Sequence, residues 1–194
     1  MNGRTSWLPL RALVTGALFT ALTAAGAWIS VPLPFSPVPI TLQSLFPLLA
    51  GATIGPVGGA LAELAYVLLG LAGFPVFAGG KAGAAVLLGP TGGFLLGFIA
   101  QAAVAGLAPP GQGRGKTVRR AVVFALATAL LYLIGLPWLA VVAHLPAGKT
   151  LAVGLLPFVP GDLLKLAAAV AVTEALARAG LQAEGKNGRR STNR

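Results

Sequence analysis

Residues 120–143 read RAVVFALATALLYLIGLPWLAVVA. After Arg120 the run carries no charge, and a helix of this length covers the ~30 Å hydrocarbon core of a bilayer at ~1.5 Å per residue. Such a stretch reads as a transmembrane helix. The rest of the chain suits the same solvent. Of its 194 residues, 56% are apolar and 9% charged, where soluble domains carry about 25% charged residues. The mean hydropathy is +0.86. The 27 Gly and 15 Pro are tolerated in a membrane bundle, because neighbouring helices re-satisfy the backbone groups that helix breakers release. With no cysteine, disulfides, thiol catalysis and Cys-based metal sites are excluded.

Working outward, the apolar pattern predicts five more spans: Leu10–Ser30, Ile40–Ile54, Val57–Gly73 after Gly55-Pro56, Gly92–Leu107, and Leu151–Ala177 interrupted by Pro157 and Pro160. The second and fourth are short, which bilayer thinning or protein packing accommodates. The run after Arg11 is too long for a signal-peptide core and is followed by others, so it reads as a span. The expected architecture is all-α: a cytoplasmic segment 1–9, a six-helix membrane domain 10–178, and a basic, disordered cytoplasmic tail 179–194.

Charge gives the orientation. With a cytoplasmic N-terminus, eleven of the fourteen Lys and Arg fall inside, Lys81 and Lys149 fall outside, and Lys165 lies within a span. That bias obeys the positive-inside rule and puts both ends in the cytoplasm. It also accounts for the net charge of +10 without a nucleic-acid partner. Segment 108–119 reads as a flexible basic linker. The outer loops 31–39 (VPLPFSPVP) and 74–91 (FPVFAGGKAGAAVLLGPT) are apolar. They are expected to fold back as a lid over a cavity, the alternative being that they rest in the headgroups.

Ionisable groups within a membrane default to function. Asp162 and Lys165 lie three apart in PFVPGDLLK, hence on one helix face. Pro160 suits a first helical position, and Asp162 then sits in the first turn, where the helix dipole favours an anion. The pair is either a self-contained ion pair or the polar floor of a ligand pocket. Gln43 either lines a site, or caps a helix end or bonds a neighbouring helix. Glu63 reads as a neutralised or helix-paired structural carboxylate, and Tyr66 as a packing aromatic or a pocket wall. Ala17, Ala21 and Ala25 form a small-residue stripe that permits close helix approach.

Two segments imitate phosphate-binding loops and fail. In GLQAEGKN (180–187), Asn187 stands where Ser or Thr should hold the metal, and PGQGRGKT (110–117) lacks the first Gly; neither follows a strand. His144, the sole histidine, has no companions with which to build a metal site or a triad. Enzymatic function is poorly supported, and no cofactor is expected.

The stretches VPLPFSPVPITLQ (31–43), GATIGPVGGALAELAYVLLGLAGFPVFAGG (51–80), LLGPTGGFLLGF (87–98) and PFVPGDLLK (157–165), in this order, resemble the BioY family. Its members are biotin-specific substrate-binding (S) components of energy-coupling factor transporters. The resemblance spans about Leu13 to Glu174. It implies six membrane helices, a loop-covered site on the outer side, and binding without hydrolysis. Energy would come from a membrane coupling (T) subunit with paired ABC-type ATPases, or from a homo-oligomer acting alone. The implied location is the bacterial inner membrane. The family's biotin-binding Asp and Lys match Asp162 and Lys165, its Gln after Pro-x-Thr-x matches Gln43, and its loop after the third helix matches Phe77, Ala78 and Gly79. Members with Asn in that loop use it as a ligand; here Gly79-Gly80 stands instead, Lys81 is unusual, and Phe94 replaces a common Tyr. The alanine stripe resembles the surface that docks on the T subunit.

In this reading Asp162 accepts a ureido N–H, Lys165 donates to the ureido carbonyl, and Gln43 completes the set. Phe35, Phe77 and Tyr66 flank the apolar ring. The carboxylate faces Lys81, or the backbone N–H groups of Thr91 and Gly92 at a helix start. The reverse orientation, with Lys165 on the carboxylate, stays open. The alternatives are an S component for thiamine or riboflavin, a polytopic membrane enzyme, and a structural assembly subunit.

Overall fold

In the computed structural model, residues 8–179 are described; the proposed tail and most of segment 1–9 lie outside them. The chain runs α1 (Leu8–Trp28), β1 (Ser30–Leu33), β2 (Ser36–Thr41), α2 (Leu45–Leu71), a 3-10 turn (Ala78–Gly80), α3 (Ala84–Leu88), α4 (Gly92–Ala105), α5 (Arg114–Val142), α6 (Ala147–Gly154) and α7 (Val159–Arg178). By length and composition alone, α5, and α2 counted as one helix, are each long and apolar enough to cross a membrane, and α6 with α7 makes a third candidate span bent by 52°. The apolar helices Ala12–Trp28 and Gly92–Ala105 are shorter.

Within α2 the backbone breaks at Gly55 (φ 81°, ψ 174°), just before Pro56. Proline has no N–H for the helix ladder and its ring crowds the preceding turn, while glycine takes a positive φ without strain. The chain doubles back there. A Cβ on Gly59 would lie 2.7 Å from the Cα of Gly51, and Gln43 donates to the hydroxyl of Tyr66. The residues expected in the second and third spans therefore form the two antiparallel arms of α2. The first arm starts at Leu45 rather than Ile40, because Ile40 and Thr41 belong to β2. The fifth helix starts at Arg114, which takes part of the expected linker into α5.

Segment 31–39 is a hairpin. β1 and β2 pair antiparallel with Ser30 opposite Thr41 and Val31 opposite Ile40, and an irregularity follows before Leu33 meets Ser36. Prolines survive because each strand of a two-stranded ribbon has a free edge. Such a ribbon is marginal alone. This one is pinned by Ser36, whose hydroxyl donates to the Val153 carbonyl at 2.7 Å, and by Leu42 N–H to Gly26 O at 3.2 Å.

Polarity runs inside out. Thr20, Thr23, Gln43, Glu63, Gln101, Arg120, Thr150 and Thr173 are buried, while Leu13, Leu133, Val141 and Leu164 are each more than two-thirds exposed. Apolar faces of that extent belong against lipid. Glycines bring the helices together: on α4, a Cβ at Gly97 would meet Leu131 at 2.7 Å, and on α5 one at Gly135 would meet the Phe94 ring at 2.4 Å. At one end of the bundle, buried Arg120 donates to the carbonyls of Pro109 (3.1 Å) and Gly111 (2.8 Å) and lies 3.8 Å from Glu174. This tether holds the α4–α5 linker against α5 and α7.

Candidate functional site

The other half of the bundle encloses a cavity of about 90 Å³. Its floor is polar. α7 starts after Phe158 with Pro160 in its first turn, so Asp162 sits where the exposed helix N–H groups favour a carboxylate. One turn on, Lys165 Nζ lies 2.9 Å from Asp162 Oδ1, with both side chains about nine-tenths buried. Lys165 also donates to Ser44 Oγ at 3.0 Å, Ser44 in turn reaches Asp162 Oδ1 at 3.4 Å, and the Tyr132 hydroxyl donates to Asp162 Oδ2.

An ammonium has three donors, and two of those on Lys165 are engaged. A carboxylate accepts at about four lone-pair positions, and three on Asp162 are engaged. By this count the floor keeps one N–H donor on Lys165 and one acceptor position on Asp162.

Above the floor the walls are apolar and aromatic: Phe94, Leu95 and Phe98 from α4, Leu131 from α5, and Phe158 before α7. Phe94 packs edge-on against Tyr132, with ring centroids 6.1 Å apart, which aims the hydroxyl at Asp162. The roof is made by Pro37, Val38 and Pro39 of the hairpin with Phe77, Ala78 and Lys81 of the loop after α2. Both apolar loops cover the cavity, as a lid would. Phe77 is fully buried; a Cβ on Gly70 would meet its ring at 2.0 Å, so only glycine gives that ring its seat.

Asp162, Lys165, Gln43, Phe77, Ala78, Lys81 and Thr91 line this cavity together. Four other expected site residues do not. Phe35 sits at the hairpin tip, 60% exposed. Tyr66 is fully buried behind the wall, where its hydroxyl takes the Gln43 amide N–H and donates to Val76 O at 3.1 Å; it orients Gln43 rather than flanking the space. Gly79 lines a neighbouring cavity. Gly92 is buried at the start of α4, under Leu87. Ala17, Ala21 and Ala25 are exposed on one face of α1. Glu63 is buried and accepts from Thr23 at 2.9 Å.

Sequence reasoning missed Ser44 and Tyr132. Ser44 adjoins Gln43, and that adjacency was a usable signal. Tyr132 is embedded in an apolar run (ALLYLIGLP) and offers only the oddity of a hydroxyl deep in a span.

A model of the BioY family matches residues 1–182. "Probable biotin transporter BioY" of Pyrococcus horikoshii is 44% identical over 160 residues, covering 82% of this chain and 92% of the relative. "Biotin transporter BioY" of Thermotoga maritima is 43% identical over 163 residues, covering 84% and 94%. Among solved structures, the crystal structure of the S-component for biotin from an ECF-type ABC transporter aligns with a TM-score of 0.78 at 27% identity, over 92% of this chain and 95% of that one.

Proposed function

The chain belongs to the BioY family, and from that premise we infer that it is the biotin-binding S component of an energy-coupling factor transporter. It is a membrane transporter subunit, not an enzyme, and biotin is its substrate rather than a cofactor. It works with a T subunit and ATPases.

The observation that carries the site assignment is the incomplete floor. Biotin's ureido ring presents N–H donors beside a carbonyl acceptor, the complement of the one acceptor position left on Asp162 and the one donor left on Lys165. Helix neighbours three apart stand only ~5–6 Å apart at Cβ, so both serve the same end of a longer molecule. The thioether ring lies among Phe77, Phe94 and Phe158. Gln43, held by Tyr66, borders the ring system. The valeryl tail leads away from the floor, and its carboxylate meets Lys81 or the Thr91 N–H at the start of α4.

The finer topology follows the same logic. Six spans result when α1, the two arms of α2, α4, α5 and the α6–α7 pair each count once, and the arms' return at Gly55 supports that count. The positive-inside bias supports cytoplasmic termini and a site on the outer side, and a bacterial inner membrane is in keeping with the bacterial relative. The exposed alanine face of α1 is the T-subunit docking surface.

Two variants test the site. Tyr132→Phe removes the donor on Asp162 Oδ2. A hydrogen bond to a charged group contributes ~1.5–3 kcal/mol, and biotin affinity is expected to fall about tenfold. An unchanged dissociation constant by calorimetry contradicts Asp162's role. Lys81→Ala is expected to weaken biotin about threefold, with the loss shrinking at high salt, and to weaken a biotin amide less. Equal losses for acid and amide contradict the tail assignment.

A further inference from the structure

Beside the site lies a second cavity, of about 260 Å³. The two share Pro37, Pro39, Ala78 and Lys81, so they adjoin at the roof, the end away from Asp162 and Lys165. The second cavity's own walls include Trp28, Ser30, Leu33 and Gly79. Trp28 stands across its side: a Cβ on Gly80 would lie 3.9 Å from the indole, which joins the end of α1 to the 3-10 turn. The walls combine apolar surface with two hydroxyls, those of Ser30 and Ser36, and Lys81 is the only charge among the described residues that line it.

We propose that this second cavity is a subsite for extensions of the biotin carboxyl, and that the protein binds biotin amides with an aliphatic arm, ε-biotinyl-lysine above all, as well as free biotin. The proposal rests on the biotin reading. With the ureido ring on the floor, the tail is the part directed at the shared wall. The first cavity closes round the ring system; the second, beyond Lys81, has room for more chain. An amide keeps the carbonyl that Lys81 can donate to, its four-carbon arm suits Trp28, Leu33 and the prolines, and its charged terminus reaches the rim, where it stays hydrated.

The test is competition of ε-biotinyl-lysine against labelled biotin on the purified full-length chain, repeated on Ser30→Phe. Ser30 is a half-buried strand residue that lines only the second cavity, and phenylalanine suits a strand while filling that space. The expected result is a dissociation constant for ε-biotinyl-lysine within about tenfold of that for biotin. In Ser30→Phe that constant rises at least about tenfold while biotin stays within about twofold of wild type. Should Ser30→Phe lose biotin too, Pro32→Trp, on an exposed position of the same wall, takes its place. Biotin binding without measurable competition overturns the subsite and leaves the biotin reading intact. So does ε-biotinyl-lysine binding that neither substitution weakens. Failure of biotin itself to bind overturns the premise.

Discussion

Asp162→Ala is expected to reduce biotin affinity about a hundredfold or more. The carboxylate is the common acceptor for Lys165, Ser44 and Tyr132. Its removal takes away the acceptor for the ureido N–H and leaves an ammonium, about nine-tenths buried, with only Ser44. Truncating one member of a buried, hydrogen-bonded charge pair costs ~2–5 kcal/mol, much of it the stranding of the other charge, and ~2.7 kcal/mol is a hundredfold. Asp162→Asn keeps the shape and one acceptor and is expected to recover part of the loss. Equilibrium binding on the detergent-purified variants, with thermal unfolding as the control for folding, checks both. An alanine variant that binds within about threefold of wild type shows that the pair is only an internal ion pair.

The second large effect is on stability. Gly51→Val is expected to lower the thermal midpoint by on the order of 10 °C, ~3 kcal/mol at ~2–4 °C per kcal/mol for a chain of this size. A Cβ on Gly51 would stand 2.1 Å from Ala102 O and 2.7 Å from Gly106 N. Both are backbone atoms, which cannot turn aside as a side chain can. From the facing side, a Cβ on Gly106 would stand 2.3 Å from Pro56 N. The first arm of α2 therefore approaches α4 backbone to backbone, the contact through which membrane helices gain dispersion energy in place of hydrophobic drive. Gly16→Ala, on α1 with nothing within 4 Å, is the matched control and is expected to be neutral. Equal effects at the two positions would mean that helix propensity, not the crossing, decides the outcome.

The readable and unreadable parts of the chain divide along physical lines. Apolar runs marked the helices because lipid selects for them, and Gly55-Pro56 marked the reversal in α2 because proline cannot donate to the ladder and glycine alone takes that φ freely. Asp162 and Lys165 stood out because charge is costly in a bilayer. The hairpin was hidden: Pro32, Pro34, Pro37 and Pro39 erase the usual strand signal, and only the ribbon's free edges permit them. Side-chain direction was hidden for a different reason. A helix between lipid and an apolar core is apolar all round, so hydropathy does not say which face turns inward. Tyr132 gives no sign of its role, Tyr66 is open between a packing and a wall role until the structure puts it behind the wall, and Phe35, expected to flank the ligand, is exposed. In each case the deciding fact is a contact between segments far apart in sequence: Tyr132 with Asp162, Tyr66 with Gln43.

Isothermal calorimetry of biotin binding to the purified chain, repeated on Lys165→Ala, tests the central claim most directly. The ureido ring is held to supply the last donor and acceptor that the α7 charges lack. Wild-type protein should then show one saturable biotin site, and a folded Lys165→Ala protein should show none over the same concentrations. Biotin binding of wild-type strength in Lys165→Ala would place the vitamin elsewhere and contradict the account.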